Sequence, residues 1–266
     1  MIENSNFQND IKCKIEVIFI TSMYESRNHL MICAKYADPE LHRHSAAHIM
    51  ISLNDSIEVM IENEKIKCKG VLIPSGIYHT ANTQGNGVLV FLFDNTTAVS
   101  NQIDQVRVIS DDDVCKIQKS FRDFESGIKN ADYYETFIQC IFSCIGINAF
   151  GTAITDERVQ SSLRYIQSRL NETITCAEVA KNVFLSESRY SHLFREQVGM
   201  TFASYVIYQR IMKTYTDIIN GKTITNAALD AGFSSSAHFA EVNKRLFGIS
   251  ATGVKNDLQF YKIAEI

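Results

Sequence analysis

The apolar positions of this chain change their period partway along it. Ile15, Val17 and Phe19 recur at every second position, with Glu16 between the first two, and Ile57, Val59 and Ile61 alternate with Glu58, Met60 and Glu62. Period two places successive side chains on opposite faces of a strand, so the first hundred residues read as sheet. Asn63-Glu64 breaks one such run before Ile66 and Cys68 resume it between lysines, which predicts a hairpin. Val88 to Phe93 is apolar throughout, the pattern of a strand buried on both faces. Both prolines, Pro39 and Pro74, fall here, and the short alternating segments predict a small antiparallel β-barrel.

From Ser110 the period becomes helical. Val114, Ile117, Phe121 and Phe124 recur on one face behind Ser110-Asp111-Asp112-Asp113, a cap with acidic residues that suit the positive end of the helix dipole. Phe137, Ile141 and Ile145 repeat the pattern after the break at Gly127 to Asp132. These two amphipathic helices have two possible partners, the barrel or a second chain, and the pattern does not choose. Gly146 to Asp156 interrupts the helical rhythm again and supplies the next N-cap, so a boundary is placed there. Residues 1–150 then form one domain and 151–266 a second, each long enough to bury its own core. Beyond the boundary only short helices are predicted, and no strand pattern appears before the end.

Two segments of this second part share one plan. Thr175-Cys176-Ala177-Glu178 has capping-box form and opens a short helix ending near Val183; Phe184-Leu185-Ser186 turns the chain into a helix running to Gly199. On the latter, Tyr190, Leu193, Phe194 and Gln197 share one face, while Ser188, Ser191, His192 and Arg195 share the other. Thr223-Ile224-Thr225 caps a second short helix, Gly232-Phe233-Ser234 makes its turn, and a further helix runs from Ser235 or Ser236 to Phe247-Gly248. A longer helix, Thr201 to Asn220, lies between the units.

Composition adds little against this. Hydrophobic residues make up 45% and charged residues 21%, as in ordinary globular proteins. Seven cysteines without a CxxC pair fit a reducing compartment. The start, MIENSNFQNDIK, lacks the basic-then-apolar order of a signal peptide, and no apolar run reaches about 18 residues, so a cytoplasmic location away from membranes is expected. The net charge of −4 is uneven: from Thr152 onward 13 Lys/Arg face 11 Asp/Glu, a net +2, while the preceding part carries −6. That asymmetry suits a nucleic-acid-binding half beside an acidic one.

The order Leu185-Ser186, Leu193-Phe194-Arg195, Gly199-Met200-Thr201-Phe202, Tyr205, Arg210, Ile224, Ala227, Ala231-Gly232-Phe233-Ser234, Phe239, Lys244-Arg245 and Phe247-Gly248-Ile249-Ser250 resembles the AraC/XylS family of bacterial transcription regulators over about a hundred residues. The resemblance implies an α+β two-domain chain: a cupin-like antiparallel β-barrel with two helices, then an all-α domain of about seven helices holding two helix-turn-helix motifs (175–199 and 224–248). It implies sequence-specific binding to promoter DNA and regulation as an effector-responsive activator, with two recognition helices entering successive major grooves about one helical turn, ~34 Å, apart. Ser188, Ser191 and His192 would face bases from the first helix and Ser236, Ala237, His238 and Glu241 from the second. Arg195, Lys244 and Arg245 would contact phosphates, and Arg210 would brace the fold. The partners implied are double-stranded DNA, RNA polymerase and a small-molecule effector, with a homodimer left open; no catalytic activity and no cofactor are expected.

The chain departs from the family pattern in places. Glu241 stands where a basic residue is usual, Asn243 where an aromatic core residue is usual, Ala251 where Pro is usual, and Val254-Lys255 where an aromatic-Arg pair is usual. Glu241 accepts from cytosine N4 but repels a phosphate. An interaction-only regulator with a degenerate second unit is therefore an alternative.

His42, His44 and His48 form an HxHxxxH group, and Pro74-Ser75-Gly76-Ile77-Tyr78-His79 follows about thirty residues on. The arrangement is similar to the cupin metal pattern, with His48 in place of the usual acid and Cys68 in place of a Gly. Three readings stay open for His42, His44, His48 and His79: structural histidines, part of an effector pocket, or a metal site in a sensor or a metalloenzyme. No resident metal is expected from the sequence. No Ser/His/Asp set or phosphate-binding Gly loop is visible.

Overall fold

In a computed structural model that describes residues 17–26, 28–37, 41–128, 130–148, 154–247 and 259–263, the alternating segments become strands and the helical ones become helices. The strands are β1 (Val17–Glu25), β2 (His29–Ala37), β3 (Ala47–Ser52), β4 (Ile57–Ile61), β5 (Glu64–Cys68), β6 (Gly70–Ile73), β7 (His79–Asn82), β8 (Val88–Phe93) and β9 (Arg107–Val108). The apolar run of β8 is buried along its whole length, because it lies between β2 and β3. The hairpin around Asn63 forms between β4 and β5.

The pairing differs from the expected closed barrel. With a further strand, β10 (Gln259–Lys262), seven strands form one sheet, in the order β10-β1-β2-β8-β3-β6-β9, and three form another, β5-β4-β7. Among the described residues the two sheets are not joined into one continuous ladder. Strand β10, absent from the expectation, pairs parallel with β1, from Ser22 opposite Gln259 to Glu25 opposite Lys262. It is four residues long and stabilised by a partner more than two hundred residues away, so no local pattern announces it.

Helices α1 (Asp111–Ser126) and α2 (Ala131–Ile145) begin at Ser110 and Asn130, whose side chains accept from the backbone N–H three residues on. Their apolar faces, with Phe121, Phe124, Phe137 and Ile141, share a core with Ile49, Phe91 and Phe93 of the larger sheet. Each such side chain contributes about 1.5–3 kcal/mol when fully buried. Those apolar faces are thus buried against the sheet of the same chain.

The second part holds α3 (Glu157–Ser168), α4 (Cys176–Asn182), α5 (Glu187–Val198), α6 (Phe202–Ile219), α7 (Ile224–Asp230) and α8 (Ser236–Phe247). These are six helices among the described residues, one fewer than expected; the stretch 248–258, with Ala251 and Val254-Lys255, lies outside them, as does part of the boundary region. Side-chain caps from Asp156, Thr175, Ser186, Thr201 and Thr223 start α3 to α7.

The cores do not divide at the boundary of the chain. Residues of α3, α4 and α5 and the first part of α6, including Tyr190, Phe194 and Tyr205, form one core. Tyr208, Ile211, Met212 and Tyr215 from the rest of α6 join Phe233, Phe239 and Phe247 in a core continuous with Met23, Leu30 and Val90 of the larger sheet. One long helix therefore belongs to two cores.

Candidate nucleic-acid interface

The two helix-turn-helix units are built on the same local bonds. Thr175 and Thr223 cap the first helices, and each turn is closed by a backbone bond back to an alanine: Leu185 N–H to Ala180 O at 2.9 Å, Phe233 N–H to Ala228 O at 3.0 Å. Each turn also needs one left-handed residue. In the second unit it is Gly232 (φ +90°), where a Cβ would come within 2.3 Å of the Leu170 carbonyl oxygen. In the first it is Phe184, with φ +58° and 95% exposed. A left-handed aromatic residue is costly for any L side chain, and its ring gains little burial in return.

Helix α5 turns Tyr190, Leu193 and Phe194 inward and leaves Ser188, Ser191, His192 and Arg195 exposed. The fourth expected inward residue, Gln197, is half-buried and its Oε1 accepts from the Thr155 and Asp156 N–H groups at 2.9 and 3.1 Å, tying α5 to the start of α3. On α8, Ala237, Glu241, Lys244 and Arg245 are exposed, while Ser236 and His238 are half-buried. His238 pairs with the Ser234 hydroxyl at 3.0 Å and packs edge-on against Phe233. The first helix thus offers a fully open polar face, and the second a face partly engaged with its own turn.

Arg210 is a brace. Its Nε–H donates to the Leu170 carbonyl at 2.9 Å and an Nη2 hydrogen to the Glu172 carbonyl at 2.6 Å, tying α6 to the turn after α3 and lying directly against Gly232. Asn243, the departure from an aromatic core, is buried in α8 and accepts from the Tyr215 hydroxyl at 2.8 Å. Its polarity is thereby met across α6 and α8.

Residues that sequence reasoning missed join the two parts. The N–H groups of Ser45 and Ala46 donate to the carbonyls of Arg245 and Leu246 at 2.9 and 3.1 Å. These are carbonyls of the last turn of α8, which a helix leaves without internal partners. The segment before β3 is therefore the C-terminal cap of α8. The Tyr208 hydroxyl donates toward the Ser26 and His29 carbonyls at 2.8 and 2.7 Å, and Thr201 N–H donates to the Thr96 hydroxyl at 3.3 Å. Contacts of such sequence separation leave no periodic or capping signature.

The four histidines of the first part, His42, His44, His48 and His79, converge. Ring centroids are 4.4 Å apart for His44 and His48, 4.7 Å for His48 and His79, 4.9 Å for His42 and His79, and 5.2 Å for His44 and His79. Burial, followed by the neighbouring imidazoles, pushes His44 and His48 well below the usual imidazole range. Burial lowers His79 to about 4, against the opposing bond from its ring to the Ile77 carbonyl. At His44, His48 and His79 these shifts favour the neutral imidazole, the form that accepts a hydrogen bond or a metal ion. Cys68, at the end of β5, is a buried thiol that burial raises to about 11.

A family described as "Helix-turn-helix domain" matches residues 179–257. Among curated proteins, the chain is 34% identical over 89 residues to the probable transcriptional regulator LumQ of Photobacterium leiognathi, covering 33% of this chain and 36% of that one. It is 25% identical over 104 residues to the regulatory protein PocR of Salmonella typhimurium, covering 39% and 34% respectively. The chain thus spans about a third of the length of these relatives. Among solved structures, apo ToxT K231A from Vibrio cholerae aligns over 86% of this chain and 97% of that one at 13% identity and a TM-score of 0.49. An AraC-type DNA-binding regulator from Chromobacterium violaceum aligns over 35% and 85% at 21% identity and a TM-score of 0.34.

Proposed function

We propose that this chain, whose helix-turn-helix region at 179–257 is of the AraC type, is a sequence-specific DNA-binding transcription regulator. The observation that carries the reading is the repeated unit itself: two capped, Ala-anchored, left-handed turns, each followed by a helix with an exposed polar face. Helix α5 reads base edges through Ser188, Ser191 and His192, and α8 through Ser236, Ala237, His238 and Glu241. Arg195, Lys244 and Arg245 contact phosphates, whose neutralisation makes the affinity salt-dependent. Residues 151–266 form the DNA-binding part and residues 1–150 the sensor part, which we read as a cupin-like unit opened into two sheets. The sensor part binds a small effector and the chain activates transcription with RNA polymerase, acting in the cytoplasm and not as an enzyme.

Glu241 favours a second reading, a regulator whose second unit meets a protein instead of bases, since an exposed carboxylate repels phosphate. The substitution Glu241→Arg separates the two. Tighter, more salt-sensitive DNA binding by the full chain places α8 on the duplex; unchanged binding removes it from the interface.

A further inference from the structure

The segment 42–46 is held from two sides. On one side His42 and His79 exchange backbone bonds at 3.0 and 2.8 Å, the Gly76 N–H donates to the His44 carbonyl at 2.9 Å, and the Ser75 hydroxyl donates to the Ser45 carbonyl at 2.7 Å. On the other, Ser45 and Ala46 cap the last turn of α8. The histidine cluster and the recognition-helix cap are thus two faces of one five-residue segment.

The cluster is short of partners for its burial. Both ring nitrogens of His44 and Nδ1 of His48 are buried without a hydrogen-bond partner. One ring nitrogen from each of His42, His44 and His79 lies within 4.8 Å of the other two. His79 is already set for ligation: the Ile77 carbonyl can only accept, so Nδ1 carries the proton at 2.9 Å and Nε2 keeps its lone pair. A carbonyl holding the far nitrogen is how metal-binding imidazoles are oriented.

We infer that His42, His44 and His79 hold a divalent transition-metal ion, with His48 as the adjoining fourth imidazole, and that this ion controls the cap on the second recognition helix. A set of imidazoles alone selects zinc, cobalt, nickel or copper over magnesium or calcium, which require oxygen ligands. Nitrogens at about 2.0–2.1 Å from a tetrahedral ion lie about 3.3 Å apart. Binding therefore draws the three rings together and fixes His44 against His79. Ser45 and Ala46 follow His44 directly, so the ion holds their N–H groups against Arg245 and Leu246 and orders the end of α8. The consequence for DNA rests on the regulator reading above; the ion site and the cap stand on the residues alone.

The test uses the full chain, stripped with a chelator. Cobalt(II) titration followed by visible absorption, with zinc competition, is expected to show one tightly held ion per chain. Magnesium is expected to leave the spectrum unchanged. His44→Ala and the milder His42→Gln, the latter at a half-buried position, are expected to weaken binding more than about tenfold while circular dichroism stays native. Absence of stoichiometric cobalt or zinc binding by the folded wild-type chain overturns the site. Amide exchange then reads the cap: zinc is expected to slow exchange at Ser45 and Ala46 in the wild type but not in His42→Gln, and unchanged exchange in zinc-loaded protein overturns the coupling. Zinc is finally expected to raise DNA affinity about fivefold or more in the wild type only. Unchanged or weaker DNA binding contradicts the proposed control. Total absence of DNA binding, with the cobalt spectrum and amide protection intact, instead removes the regulator reading and leaves the ion site standing.

Discussion

The Tyr215 hydroxyl donates to Oδ1 of Asn243 at 2.8 Å, between α6 and α8 and out of contact with solvent. This bond lets a polar residue occupy a core position in the second helix-turn-helix unit. Leaving a buried polar partner behind costs about 1–3 kcal/mol. Asn243→Ala is therefore expected to lower stability by at least about 2 kcal/mol in chemical denaturation, since it removes packing as well. Tyr215→Phe is expected to cost about 1 kcal/mol and leave the ring in place against Phe239.

The two turns are expected to respond oppositely to substitution. Gly232→Ala adds a Cβ 2.3 Å from the Leu170 carbonyl oxygen at a left-handed φ, beside the Arg210 brace. A loss exceeding about 2 kcal/mol is expected from strain and overpacking together. Phe184→Gly removes a left-handed penalty of about 1–2 kcal/mol against a glycine entropy cost of about 0.5–1 kcal/mol. Thermal unfolding of the pair is expected to show a marked fall for the first and a small rise for the second.

Arginines that brace and arginines that bind are separable by salt. Arg195→Ala is expected to weaken DNA binding and reduce the slope of log affinity against log salt by about one, with stability nearly unchanged. Arg210→Ala removes donors from the Leu170 and Glu172 carbonyls. It is expected to lower the unfolding midpoint while leaving the salt slope of the folded protein as it was.

Acid stability is expected to depend on His29. Burial lowers this imidazole to about 3, with Nε2 paired to the Tyr134 hydroxyl at 2.8 Å and the ring stacked on Phe93. Its folded value lies below its unfolded one, so its contribution is fully present above about 6.5 and is lost as pH falls toward 3. Glu25 acts in the opposite sense: burial raises it to about 7, opposed by Lys262, so its contribution is present below the ordinary carboxylate range and fades as pH rises through 7. Denaturation midpoints measured from pH 7 to 4 are expected to fall less steeply in His29→Phe than in the wild type.

Much of the helical half was legible because its signals are local. Thr175, Ser186, Thr201 and Thr223 act as caps where hydroxyl residues precede apolar runs, and Gly199 and Gly232 take left-handed φ where the pattern stops. The exposed face of α5 followed from the same 3.6-residue period. The rest depends on contacts that local pattern does not encode. The alternation of β4 and the unbroken apolar run of β8 predict strands but not how strands order themselves, so two sheets form where a closed barrel was expected. Strand β10 exists through its partner β1, and Asn243 is tolerated through Tyr215 on another helix. The Ser45 and Ala46 cap on α8 joins positions two hundred residues apart, although the HxHxxxH spacing had already marked that segment as unusual.

The central claim is that α5 reads bases, and genome-wide mapping of DNA bound by the native chain, repeated with His192→Ala, tests it most directly. His192 is exposed on α5 between Ser188 and Arg195. Discrete sites sharing two half-elements about one helical turn apart are expected, with the half read by α5 relaxed or lost in the variant. A native chain that occupies no discrete sites, with or without zinc, or a variant whose sites and preferences match the native ones, contradicts it.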